Sequence, residues 1–191
     1  MSVVVDVISD VICPWCYIGK RRLEKAIATH GEPVNVQWHP FQLNPTMPKE
    51  GISRKEYRAR KFGSWERSLE LDYRTPNTVD AHRLIWLADQ HDCQDSVVEG
   101  LFRAYFTEGR DIGNRQTLID LAAEAGLDRQ AAEAMLNSGD GMDVIEEAGE
   151  LSQRHQVTGV PFFIINQTIT LSGAQEPETF IGAFKNARPQ L

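Results

Sequence analysis

"DVICPWCYIGKRRLEKAI", residues Asp10 to Ile27, sets Cys13 and Cys16 three positions apart across Pro14 and Trp15 and runs directly into a helical pattern. Upstream, "SVVVDVIS" (Ser2 to Ser9) is short and rich in β-branched residues, which reads as a largely buried strand. Downstream, Ile18, Arg22, Leu23, Lys25, Ala26 and Ile27 suit a helix, and Gly31 with Pro33 ends it. Val34, Val36 and Trp38 then alternate with polar residues over Val34 to Phe41, a second strand. Strand, helix and strand at this spacing make a βαβ unit with parallel strands.

From Asn44 the chain turns polar and is punctuated by Pro and Gly, with Ser53 and Glu56 spaced as a capping box. Helical spacing then recurs in Ala81, Leu84, Ile85 and Ala88; in Val98, Leu101, Phe102 and Tyr105; in Leu118, Leu121, Ala122 and Ala125; and in Val144, Ala148 and Leu151. Four or five amphipathic helices follow from this, with Asn114 and Asp128 as N-caps and Gly126 as a break between two of them. "PFFIINQTITLSG" returns to strand chemistry as a hairpin turning at Asn166 and Gln167, although Asn-Gln is a weaker turn signal than Asn-Gly. Pro177 opens a terminal helix carrying Phe180, Ala183 and Phe184 on one face. The order is βαβ, a helical block, then ββα: an α/β chain.

The sequence has 191 residues, 41% hydrophobic, enough for one sizeable core or for a core domain with a large insertion. A net charge of −7 gives no basic surface for a phosphate backbone, so nucleic acid is not an expected partner. The N-terminal apolar run lacks a preceding basic residue and is interrupted by Asp6 and Asp10, so it does not read as a secretory signal. No apolar run approaches the roughly 20 residues that span a bilayer. A cytoplasmic chain with no membrane partner is the expectation. The charged runs Arg54 to Lys61 and Glu146 to Glu150 read as solvated helix faces.

Three cysteines, Cys13, Cys16 and Cys93, are too few and too odd for a disulfide framework. Cys93 has no neighbour in sequence and reads as a bystander at a helix end. For the close pair three readings stand side by side. A structural zinc site wants four ligands, but there is no second cysteine pair, and His30, His39, His82, His91 and His155 lack metal-ligand spacing, so no metal is expected. Two inert core thiols fit poorly with a Pro-Trp interior at a strand-to-helix junction. Thiol redox chemistry fits best. A cysteine opening the helix faces unsatisfied N–H groups and the positive end of the macrodipole, which favour thiolate. Cys16, one turn further on, is placed to attack a mixed disulfide on Cys13. Pro14 suits the first helical position because its missing N–H is not needed there. Trp15 brings no positive charge, so the helix terminus has to supply most of the activation, and its ring offers a platform for an apolar or peptide substrate. Val160 and Pro161, in "TGVPFF", precede a strand, where Pro is either a strand opener or a cis residue.

Taken together, "DVICPWCYIG" (Asp10 to Gly19), "WHPFQLNP" (Trp38 to Pro45), "NTVDAHRLIWLA" (Asn77 to Ala88), "GVPFFIIN" and "LSGAQEPETF" resemble the DsbA-like branch of the thioredoxin superfamily, in particular its cytoplasmic FrnE-like subgroup. The resemblance implies a thioredoxin-like βαβ–ββα core over residues 1–44 and 157–191 with a large all-helical insertion over 45–156, the last helix of which packs on the core. It also implies Cys13 as nucleophile, Cys16 as resolving thiol and Val160-Pro161 as a cis-proline loop beside them. The same branch includes kappa-class glutathione transferases and 2-hydroxychromene-2-carboxylate isomerases, which usually carry Ser at one of the two cysteine positions. The function implied is therefore thiol–disulfide oxidoreductase. A glutathione-dependent transferase or isomerase of small aromatic compounds is the alternative, and a redox-responsive binding or chaperone-like module is a third reading. By the same resemblance Asn44, His82 and the Ser172, Gly173, Ala174, Gln175 segment contact a thiol or disulfide substrate. No tightly bound cofactor is implied, glutathione enters as a co-substrate, and a homodimer is the expected assembly.

Overall fold

Strand β1 (Val3–Ser9) is the centre on which the first half of the fold is laid. Its Val3, Val5, Val7 and Ile8 side chains are buried, while Val4 and Asp6 are half-buried, as a strand rich in β-branched residues and largely covered by its neighbours requires. The computed structural model describes residues 2–53, 56–57 and 74–187. Its contacts divide the chain into two compact units, Met1–Phe41 with Met142–Leu191, and Gln42–Gly141.

In the first unit β1 leads into helix α1 (Pro14–His30), which ends where Gly31 takes φ 75° and returns its N–H to the Ile27 carbonyl at 3.3 Å. Strand β2 (Val34–Pro40) pairs parallel with β1 from Val3↔Val34 to Ser9↔Pro40, the expected βαβ unit. The C-terminal part adds β5 (Phe162–Ile165), antiparallel to β1, and β6 (Ile169–Ser172), antiparallel to β5, giving the mixed order β2-β1-β5-β6. The β5–β6 hairpin turns at Asn166 and Gln167, both at positive φ (45° and 56°). Asn166 also accepts the Val4 N–H on Oδ1 at 2.8 Å and donates its own N–H to Val4, so the turn is fastened to β1 despite its weak Asn-Gln signal. Helix α7 (Pro177–Asn186) packs against α1, with buried Phe180 edge-on to Phe163 at 4.8 Å and close to Phe184. Helix α6 (Met142–Arg154) packs on β2 and groups with this unit; the sequence reading counted it as the last helix of the 45–156 insertion and expected it to pack on the core. Glu146, Glu147 and Glu150 on α6 are exposed.

The second unit holds a two-residue ribbon, β3 (Ile52–Ser53) with β4 (Arg74–Thr75), and four helices among the described residues: α2 (Val79–Asp89), α3 (Gln94–Arg103), α4 (Arg115–Glu124) and α5 (Arg129–Asn137). Asn114 and Asp128 are the N-caps of α4 and α5, accepting the N–H groups of Thr117 and Ala131 at 3.1 and 2.9 Å. Of the capping pair, the Glu56 N–H donates to Ser53 Oγ at 3.2 Å, while most of the charged run Arg54 to Lys61 lies outside the described residues. After α3 the helix widens to π-type turns over Ala104–Glu108 and stops at Gly109, which periodicity alone did not mark. Buried Arg83 on α2 donates to the Met135, Ser138 and Asp140 carbonyls, which satisfies the C-terminal end of α5 and the segment after it. Among the described residues no helix is long and apolar enough to cross a membrane.

Truncating Phe180, fully buried against Phe163, should cost about 3–5 kcal/mol in chemical denaturation of Phe180→Ala. A loss within about 0.5 kcal/mol, the range of an inert surface substitution, would show that this ring is not part of the core.

Candidate functional site

Cys13 occupies the N-cap of α1, with extended backbone, and Pro14 occupies the first helical position. The Cys13 carbonyl accepts the N–H groups of Cys16 and Tyr17 at 3.1 and 3.3 Å, so the cysteine pair is closed into the first turn of the helix. Both thiols are free and buried, Cys16 more deeply at 1% exposure. Pro14 and Trp15 face solvent, and Trp15 is 60% exposed.

The other wall of the site comes from the chain before β5. The Val160–Pro161 peptide bond is cis, and the Cys13 Sγ lies 3.6 Å from the Val160 carbonyl, to which the thiol form donates. Pro161 sits against α1 because Gly19 has no side chain: a Cβ there would lie 3.0 Å from Pro161 Cγ and 3.2 Å from the Phe163 ring. The Pro161 carbonyl accepts the Gly173 N–H at 2.8 Å, which ties the 172–175 loop to the same place. Gly173 is at φ 78°, a conformation that costs glycine nothing. Gln175 donates from Nε2 to the Ser172 carbonyl at 2.6 Å and from its N–H to Gly173 at 2.9 Å, so both groups are used inside the loop.

The two thiols are electrostatically unequal. Cys13 is lowered to about 7, chiefly by a hydrogen bond from the Cys16 thiol; burial and the Asp10 charge oppose this, and the N–H groups of Cys16 and Trp15 assist it. Trp15 thus acts through its backbone, and its indole supplies no charge. The largest contribution comes from the second cysteine, where the sequence reading placed it on the helix terminus. Cys16 is raised well above the ordinary thiol range by burial first, then by the hydrogen bond and charge of Cys13, while the Ser9 hydroxyl and the Asp10 N–H pull it down. In this way the pair has one sulfur ready to ionise and one held protonated.

Of the remaining expected site residues, Ser172, Gly173, Ala174 and Gln175 belong to the loop beside Pro161, as described. Asn44 and His82 lie in the second unit: Asn44 donates to the Tyr57 hydroxyl at 3.3 Å, and His82 is buried on α2. Cys93 is the N-cap residue of α3, with its thiol raised by burial and by Asp92. Ser9, Asp10 and Gly19 were not singled out from sequence. Asp10 interrupting an apolar run and Gly19 inside a helix were the available signals.

Residues 4–185 match the family described as DSBA-like thioredoxin domain, and the chain belongs to it. A curated relative, protein YwbO of Bacillus subtilis, is 29% identical over 194 residues, covering 94% of each chain. Among solved structures, a probable DsbA oxidoreductase from Streptomyces coelicolor superposes with TM-score 0.88 at 29% identity, covering 99% of this chain and 92% of that one. The cytosolic disulfide reductase DsbM from Pseudomonas aeruginosa, solved with GSH, shares the fold at TM-score 0.66 and 18% identity, covering 96% and 94%.

Two outcomes follow from the site. Iodoacetamide should alkylate Cys13 with a pH midpoint near 7 and Cys16 only at much higher pH, read peptide by peptide in a mass spectrometer; equal midpoints would contradict the asymmetry. Gly19→Ala gains about 1 kcal/mol of helix propensity, but it crowds Pro161 and Phe163 at a cost of about 1–3 kcal/mol, so denaturation should show net loss or no gain. A gain of the full propensity difference would mean that the 160–161 loop does not press on α1.

Proposed function

We propose that this DsbA-like chain is a thiol–disulfide oxidoreductase in which Cys13 is the nucleophile and Cys16 the resolving thiol. The observation that carries the reading is the unequal pair in one helical turn: an ionisable sulfur at the N-cap and a buried protonated one behind it. With its pKa near 7, about half of Cys13 is thiolate at neutral pH, against a few per cent for an ordinary thiol.

In the reducing direction the Cys13 thiolate attacks one sulfur of a substrate disulfide; a Cys13–substrate disulfide forms and the other substrate sulfur leaves as a thiolate. That step removes the charge and the hydrogen-bond acceptor that hold Cys16 protonated. Only its burial still raises it, so Cys16 ionises more easily once it is needed. It gives its proton to solvent or to the departing thiolate and attacks Cys13. A Cys13–Cys16 disulfide forms, the second substrate thiolate leaves, and two electrons have passed from the protein to the substrate. Run backwards, the same steps oxidise a dithiol. The reduction potential of the pair against its compartment sets the direction.

The Val160–Pro161 strand entry and the 172–175 loop supply the backbone that faces an incoming chain, and the exposed Trp15 ring supplies an apolar surface beside it. The substrate class proposed is a protein or small-molecule disulfide or thiol, with glutathione as co-substrate and no resident cofactor; the GSH-bound disulfide reductase of the same fold supports the inclusion of glutathione. We place the activity in the cytoplasm and take a homodimer as the assembly. An enzyme that only activates glutathione for transfer or isomerisation needs one sulfur, whereas disulfide exchange needs the second; the retained Cys16 supports the oxidoreductase.

The test is insulin reduction with dithiothreitol or glutathione as electron source. Cys13→Ser should fall to the uncatalysed background, and Cys16→Ser should lose turnover and, incubated with the substrate disulfide without added reductant, accumulate a covalent Cys13–substrate adduct visible by non-reducing electrophoresis. A Cys16→Ser variant that retains full turnover would exclude the resolving role, and turnover of an aromatic substrate with glutathione by that variant would favour the transferase.

A further inference from the structure

We propose that Arg22 is a positioning residue for the exchange reaction: it clamps the 172–176 loop to α1 and thereby fixes the Val160–Pro161 backbone beside Cys13. This rests on the oxidoreductase reading above. Arg22 donates from Nη1 to the Ala174 carbonyl, 152 positions away in sequence, and from Nη2 to Glu176 Oε1 at 2.7 Å. One residue before Ala174, the Gly173 N–H holds the Pro161 carbonyl at 2.8 Å. One residue before Pro161, the Val160 carbonyl stands 3.6 Å from Cys13 Sγ. Cys13 and Arg22 are on the same helix, about two and a half turns apart. The contacts therefore form a closed circuit: α1 carries the reactive sulfur at one end and, further along, the grip on the loop that presents a carbonyl to that sulfur.

Three features point to positioning rather than to stability. The Arg22–Glu176 pair is partly exposed, at 30% and 63%, and such pairs add little to folding. The guanidinium fork reaches a main-chain carbonyl and a carboxylate at once, a geometry that a lysine ammonium does not reproduce. The loop it holds is joined to the site by the backbone hydrogen bond from the Gly173 N–H to the Pro161 carbonyl at 2.8 Å, so displacement at Ala174 reaches Pro161 through a single adjacent hydrogen bond.

The sign of the effect separates this role from a structural one. A carbonyl that accepts from the Cys13 thiol favours the protonated form. Releasing the loop withdraws that carbonyl and lets water in, and both changes lower the pH at which Cys13 ionises. General loosening of α1 would instead remove the N–H groups of Trp15 and Cys16 and raise it. Among the described residues, the titratable groups acting on Cys13 are Asp10 and Cys16, and neither is touched by the substitution.

Arg22→Met keeps the apolar stem and removes the fork. Its Cys13 iodoacetamide midpoint should fall by roughly half a unit, and its KM for oxidised glutathione should rise roughly fivefold or more with little change in kcat. Arg22→Lys, which restores one donor, should fall between Arg22→Met and wild type in both readouts, and it carries the test should Arg22→Met fail to fold. Unchanged midpoint and KM, or a midpoint that rises, would overturn the proposal. Alkylation needs no exchange activity, so a wild-type protein that exchanges no disulfides would sink the oxidoreductase reading while the midpoint comparison still judged the clamp.

Discussion

The first two turns of α1 and the 160–161 loop have to touch for Cys13 to meet the Val160 carbonyl, and the contact depends on a missing side chain. Gly19 leaves the space that the Pro161 ring and the Phe163 edge fill. From that contact the rest follows in order. The Val160 carbonyl reaches Cys13, the Pro161 carbonyl is free to take the Gly173 N–H, and β5 enters the sheet beside β1 in a register that runs from Ile8↔Phe162 to Val5↔Ile165. A glycine inside a helix gives up about 1 kcal/mol of propensity, a cost that the remaining packing of α1 against α7 offsets.

The electrostatics of the pair are organised around reaction order more than around a fixed low pKa. In the resting dithiol the proton of Cys16 stabilises the Cys13 thiolate, and the thiolate in return holds that proton in place. Neither sulfur can be understood alone, because each supplies the leading specific interaction of the other. In the proposed reaction, bonding of Cys13 to substrate weakens the reason for Cys16 to stay protonated. Trp15, in the position between the cysteines where a cationic side chain would act by charge, leaves this mutual hydrogen bond and the main-chain N–H groups as the means of activation.

What could be read from sequence was local. The β-branched run of β1, Pro14 at the first position of α1, the Asn114 and Asp128 caps and the Asn166-Gln167 turn each depend on a few adjacent residues, and each stands where the pattern put it. Resemblance extended this to the pairing of Cys13 with a loop some 150 positions away, which no periodicity reveals. What stayed hidden was long-range or compensatory. Arg22 reads as one more polar residue on a helix because its partners, Ala174 and Glu176, belong to the far end of the chain, and Gly19 reads as a weak point of a helix because the atoms that need its absence of Cβ are on another element. Asn44 and His82 came from matching segments rather than from chemistry, and the structure gives Asn44 a tyrosine partner and His82 a buried helical position in the second unit.

Whether Cys13 and Cys16 form a two-electron couple with each other is decided by equilibrating the protein in glutathione buffers of graded potential and trapping free thiols by alkylation, with each cysteine quantified by mass. Cys13 and Cys16 should disappear together in one transition with two-electron slope, joined in a single intramolecular disulfide, while Cys93 stays alkylatable throughout. Loss of Cys13 alone as a glutathione adduct, with Cys16 still free at the most oxidising potential, would contradict that pairing.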